Sequence, residues 1–133
     1  MSFLLDTNIL SVHLRRPTAL AHRFLQHSGR LHTASICMGE LYVWACGRSD
    51  PAPALASIDQ LLEYEVTVVD FNLDCAKRFG DVRMTLRRRG IEVNTTDLMI
   101  ACVALDHDFT LVTHNTFDFR HVPGLRLDDW ITP

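Results

Sequence analysis

The chain has 133 residues, 47% of them hydrophobic and 22% charged, with a formal net charge of −3. That balance fits one globular domain and excludes a disordered chain, and a chain of this length buries roughly two-thirds of its unfolded surface without a disulfide or metal staple. The four cysteines form no CxxC pair and the seven histidines no HExxH spacing, so a zinc framework is not expected and the thiols read as small buried hydrophobes in a reducing compartment.

In chain order, residues 2–5 (SFLL) read as a short buried strand that ends at Asp6-Thr7-Asn8. Residues 8–14 can form a short helix. Pro17 is placed to open a second helix carrying Leu20, Phe24 and Leu25 at helical spacing, with Gly29 as its stop. Residues 31–34 (LHTA) read as a second strand, and Ser35 as the N-cap of a helix that runs to Cys46. After the loop at 48–53, a helix over 54–64 shows Leu55, Ile58, Leu61 and Leu62 on one face, and the β-branched run 66–69 (VTVV) is a strand. Asp70 or Asn72 can cap a helix ending at Gly90, whose apolar positions Cys75, Phe79, Val82 and Leu86 recur at i, i+4, i+7 and i+11. Asn94 or Thr95 caps a last long helix that is apolar nearly all round from Leu98 to Leu105. Residues 109–113 form a fourth strand, and a short one near Leu125 to Leu127 follows. Short apolar strands alternating with helices predict an α/β fold with a parallel sheet and helices on both faces. No apolar run approaches the ~20 residues of a membrane span and nothing resembles a signal peptide, so a cytoplasmic protein away from membranes is expected.

Ligands of an open parallel sheet bind outside the carboxyl ends of its strands. Asp6 follows the first strand, Glu40 lies in the second turn of the helix after the second, Asp97 in the first turn of the last long helix, and Asp118 follows the fourth strand. Strand-to-helix order brings these acids to one edge. Two unit charges ~4 Å apart cost about 4 kcal/mol at an effective dielectric of 20, so four gathered carboxylates call for a cation or for raised pKa values. Oxygen-only ligands suit Mg²⁺ or Mn²⁺, and such a cluster is equipped to hydrolyse a phosphodiester. Asn8, Thr96, Thr113 and Asn115 could orient the carboxylates or bound water. Each acid also has a plain alternative. Asp6 and Asp97 could serve helix termini, Glu40 a solvated helix face, and Asp118 a turn.

Four segments, LLDTNIL, SICMGEL, NTTDLMIACVAL and LVTHNTFDFRHVPGLRLDDW, occur in this order. Together they resemble the PIN-domain family, and more narrowly the VapC toxins of bacterial VapBC toxin–antitoxin modules. The resemblance spans nearly the whole chain and implies one PIN domain over residues 1–133, a three-layer α/β/α fold with a short-stranded central parallel sheet. It implies a Mg²⁺- or Mn²⁺-dependent endoribonuclease acting on structured RNA such as tRNA or ribosomal RNA. The expected partners are a VapB-type antitoxin, whose C-terminal segment enters the active-site groove, and a second copy of the chain. A homodimer, and a heterotetramer or larger assembly with antitoxin, follow from it. Carried over by motif, Asp6, Glu40 and Asp97 are metal-site carboxylates. Many family members have Asp where this chain has Asn115, so Asp118 alone supplies the fourth charge, and whether one metal or two are held is open.

Net charge does not decide for or against a nucleic-acid partner, because setting four site acids aside leaves a nearly neutral surface. The basic stretch from Lys77 to Arg89 could grip RNA phosphates through Arg83, Arg87, Arg88 and Arg89, or could be a solvated helix face. Two other classes compete with the nuclease: a receiver-like signalling domain, which also gathers acids around Mg²⁺ but needs a lysine beside them, and a catalytically silent PIN-like binding module.

Overall fold

Phe3, Leu4 and Leu5 are apolar in succession, and a strand that is apolar on both faces belongs in the middle of a covered sheet. In the computed structural model, which describes residues 1–132, this segment is β1 (Phe3–Leu5), fully buried. It pairs in parallel with β2 (Leu31–Ala34) on one side and β4 (Thr110–Val112) on the other. The outer strands β3 (Thr67–Val69) and β5 (Leu127–Asp128) complete an all-parallel sheet in the order β3-β2-β1-β4-β5. Alternation along the pleat sends Phe3, Leu5, Leu31 and Val112 to one face, and Leu4, Ala34 and Leu111 to the other.

Helices cover both faces. The first carries α1 (Thr7–Arg15), α2 (Ala21–Gln26), α3 (Ser35–Cys46) and α4 (Ala52–Tyr64), whose Ile9, Leu10, Phe24, Leu41 and Ile58 fill one core. Trp130 closes it, edge-on to Phe3 and Phe24. On the second face lie α5 (Leu73–Arg88), α6 (Thr95–His107) and the single turn α7 (Thr116–Phe119). There Cys75, Leu86, Leu98, Ile100, Val103 and Phe119 pack the other core. The apolar circumference predicted for 98–105 is explained by this position: α6 is pressed between the sheet and α5. Among the described residues, no helix is long and apolar enough to cross a membrane.

Local chemistry sets most boundaries. Asn72 accepts the Cys75 N–H at 3.0 Å and caps α5, whereas Asn94 accepts the N–H groups of Thr96 and Asp97 and caps α6. Three expectations need correction. The second helix begins at Ala21 rather than Pro17, because the Ala19 N–H closes a turn on the Arg16 carbonyl and the buried Leu20 anchors the helix start. Ser35 is the first helical residue of α3, not its cap, since β2 runs straight into the helix through Ala34. The last strand is Leu127–Asp128, starting two residues later than the expected 125 and ending one later than the expected 127, where its register against Leu111 and Val112 is met.

The candidate metal site at the carboxyl edge of the sheet

The strand order reverses between β1 and β4, and the crevice at such a switch point is where an open parallel sheet binds ligands. Asp6 leaves β1 there and Thr113 leaves β4. The Thr113 hydroxyl, fully buried, donates to Asp6 Oδ2 at 2.8 Å. The Thr7 N–H donates to Asp6 Oδ1 at 2.8 Å. An N-cap carboxylate ordinarily accepts from the second or third helical N–H; Asp6 instead leans across the crevice, although it stands at the α1 N-cap position. Burial pushes its carboxyl above the ordinary carboxylate range, against the hydrogen bond from Thr113.

Glu40 is exposed on the second turn of α3 and reaches the same place. The Thr7 hydroxyl donates to its Oε1 at 2.8 Å. Cys37, one turn earlier and buried, has its thiol pushed up to about 12, by burial first and by Asp6 next. It therefore stays protonated and points its S–H at Asp6 Oδ1 across 3.7 Å. Ligand atoms of Asp6, Cys37 and Glu40 lie within 4.8 Å of one another.

Asp97 sits in the first turn of α6, but Asn94 already serves its backbone N–H, so its carboxylate has no capping duty. Burial raises its pKa, and the neighbouring charges of Asp6, Asp118 and Glu40 raise it further. The four predicted acids are thus electrostatic neighbours, brought together from α1, α3, α6 and α7. The Asp97 and Asp118 side also lines a cleft of about 550 Å³ with Glu92, Arg120 and His121. Four carboxylates, of which Asp6 and Asp97 are held above the ordinary range, with no ammonium or guanidinium bonded to them among the described residues, suit a hard divalent cation.

Of the predicted supporting residues, Thr113 contacts a carboxylate directly. Asn8 accepts the His114 N–H at 3.2 Å and ties the β4–α7 connection to α1. Asn115 precedes α7 and bonds the Thr113 hydroxyl through its backbone N–H. Thr96 is engaged through its backbone on Asn94. Arg83 departs from the expectation of an RNA-facing group. It is only 7% exposed. Its guanidinium donates to the Val93 carbonyl at 2.7 Å and to the Thr95 hydroxyl at 3.1 Å. It clamps the entry of α6 and so fixes the turn that carries Asp97. Arg87, Arg88 and Arg89 remain exposed. Thr7 and Cys37, which hold Glu40 and Asp6, were not singled out from the sequence. Their signal was position: Thr7 adjoins Asp6, and Cys37 lies one helical turn from Glu40.

A second group, Cys75, Asp106 and His107, brings its ligand atoms within 4.8 Å at the other end of α6. It is ten residues from Asp97, roughly 15 Å of helix. There Arg78 lies 3.9 Å from Asp106.

Comparison with known proteins accords with this geometry. The PIN domain family model matches residues 3–125. Ribonuclease VapC2 of Haemophilus influenzae is 32% identical over 132 residues, covering 98% of this chain and 99% of that protein. The tRNA(fMet)-specific endonuclease VapC of Shigella flexneri is 33% identical over 131 residues, 98% of each. Among solved structures, the DNA-bound VapBC complex of Salmonella typhimurium contains a chain that superposes with a TM-score of 0.90 at 30% identity, again covering 98% of each.

Proposed function

The chain belongs to the PIN-domain family, among its VapC ribonucleases, and from that premise we propose that it is the toxin of a type II toxin–antitoxin module, a Mg²⁺- or Mn²⁺-dependent endoribonuclease that cleaves structured RNA. The observation that supports the reading is the crevice between β1 and β4, where Asp6 and Glu40 bring their oxygens together and Asp97 has its pKa raised by burial and by the charges of Asp6, Asp118 and Glu40.

Asp6 and Asp97 would hold the principal metal, with Asp118 completing the set. A divalent cation supplies a lowered pKa for water and neutralises charge developing on the phosphate. The rest falls to side chains. Thr7 fixes Glu40 through Oε1, which leaves Oε2 to orient the attacking water and accept its proton. The water oxygen bonds to phosphorus as the P–O3′ bond breaks in line. The departing 3′-oxygen takes a proton from solvent. The products carry 5′-phosphate and 3′-hydroxyl ends, and the RNA 2′-hydroxyl takes no part.

The proposed partners are an RNA substrate, a second copy of the chain and a VapB-type antitoxin. Support for a peptide partner is an open groove of about 620 Å³ between α1, α2 and α4, lined by Leu14, Phe24 and Leu61 and rimmed by the exposed Leu25 and Tyr64. Apolar surface of this kind is ordinarily covered by a partner. A receiver-like domain is disfavoured: its lysine would stand beside the acids, and Lys77 lies in the first half of α5, near the Cys75 end.

The test is cleavage of a labelled tRNA pool with Mg²⁺ or Mn²⁺, comparing wild type with Asp6→Ala. Cleavage that a chelator quenches and the substitution lowers by at least ~100-fold is expected. Equal cleavage by both proteins, or products ending in 2′,3′-cyclic phosphate, would overturn the reading.

A further inference from the structure

The turn after β4 holds a group the hydrolysis does not use. In α7, Phe119 points into the core and is buried, while Phe117, two residues earlier, is 69% exposed. The core position is therefore already filled, and the fold does not need a second phenyl ring here. The Arg120 guanidinium lies 3.4 Å from the Phe117 ring centroid and donates to the Phe117 carbonyl at 2.6 Å. Arg120 thus covers one face of the ring and restrains it. Most of the residue stays accessible to solvent despite this contact. Asp118, the residue between them, belongs to the carboxylate cluster, and Arg120 and His121 line the cleft that contains Asp97 and Asp118.

A flat aromatic ring, backed by a guanidinium and one residue from a phosphodiester-cleaving cluster, has the chemistry of a base-stacking platform. Every base has a π-face, so stacking tolerates sequence, but it requires a base that is not already stacked in a helix. We propose that Phe117, stiffened by Arg120, stacks an unpaired nucleobase of the RNA next to the cleaved phosphodiester. The substrate is thereby selected for an unpaired nucleotide at the cleavage point. This proposal rests on the ribonuclease reading above. The polar, charged lining of the adjoining cleft favours a nucleotide over an apolar peptide as the occupant.

Two measurements on the full chain test it. In the first, stem–loop RNAs carrying 2-aminopurine at each loop position in turn are bound to Asp97→Asn protein, chosen because the loss of a site carboxylate should stop cleavage and leave the RNA-binding surface intact. Fluorescence quenching at one or two adjacent positions is expected, lost when Phe117→Ala is added and kept with Phe117→Trp. In the second, Phe117→Ala in the otherwise native enzyme lowers kcat/KM on a tRNA pool by about tenfold or more. The loss falls mainly in KM, with the melting temperature unchanged and Phe117→Trp restoring activity. Unaltered quenching and unaltered kcat/KM in Phe117→Ala would overturn the proposal. So would a variant that cleaves normally but binds a VapB-type antitoxin more weakly, which would make Phe117 part of a protein interface. Failure of the ribonuclease reading itself would appear separately, as absence of cleavage and RNA binding in proteins that retain Phe117.

Discussion

At the scale of single residues, the two functions of arginine on α5 separate cleanly. Arg83 is buried with its hydrogen bonds directed to Val93 and Thr95, and Glu92 lies 3.7 Å away. Arg87 and Arg88 extend from the same helix into solvent, Arg87 only 3.9 Å from the exposed Glu92. Arg83→Ala would strand a buried carbonyl and open a void, so a loss of about 2–4 kcal/mol in denaturant unfolding is expected. A loss under about 0.5 kcal/mol would show that the α6 entry holds without it. Replacing Arg87 and Arg88 together with alanine should move stability by no more than about 0.5 kcal/mol. If both meet phosphates, RNA affinity falls and the slope of log K against log salt flattens by about 1.4, at roughly 0.7 per contact with single strands. An unchanged slope would mean that this end of α5 is solvated surface. Position 83 borders the apolar stripe formed by 75, 79, 82 and 86, so it could face either way, whereas 87 and 88 leave the stripe.

At the scale of elements, the carboxylates depend on caps that relieve them of other work. Asn94 takes the free N–H groups at the start of α6, so Asp97 can keep its charge for the site. The energetic consequence has a definite sign. The Asp97 carboxyl titrates above its unfolded value of 3.8, so the native state binds more protons than the unfolded chain between 3.8 and the higher folded value. Folding stability contributed by this group is therefore lost as pH rises through that window. Other carboxylates titrate in the same range, and the comparison with Asp97→Asn isolates this one. The variant should melt at the same temperature as wild type near pH 3, and above it at pH 6–7 in the presence of a chelator. A variant less stable than wild type at pH 7 without metal would show that the Asp97 charge is favourably paired rather than crowded.

For the whole molecule, the crevice at the sheet edge gathers carboxylates whose mutual repulsion a bound cation would relieve. Adding Mn²⁺ or Mg²⁺ at neutral pH should raise the melting temperature of wild type, because a ligand that binds only the folded state stabilises it by RT ln(1 + [L]/Kd), about 2.7 kcal/mol at a hundred times Kd. Asp97→Asn should show a much smaller rise, and Arg87→Ala the full one. Equal rises in all three proteins would place the cation somewhere other than the carboxylate crevice, with Cys75, Asp106 and His107 the next group to substitute.

Much of this was legible in the residues. The alternation of apolar triplets with amphipathic helices specified a covered parallel sheet, because strands apolar on both faces have no other stable place. The acids at the strand ends followed from the same order, and the segments around Asp6, Glu40, Asp97 and Asp118 resemble one family strongly enough to indicate the chemistry. What required the tertiary structure were contacts between residues far apart in the chain. Thr113 reaches Asp6 across 107 positions, and Thr7 reaches Glu40 across 33. The start of α2 at Ala21, the burial of Arg83 and the exposure of Phe117 belong to the same class. Each depends on which surface a neighbouring element covers, and a local pattern of polarity reports only that a residue could face inward or outward, whereas packing decides which face is occupied.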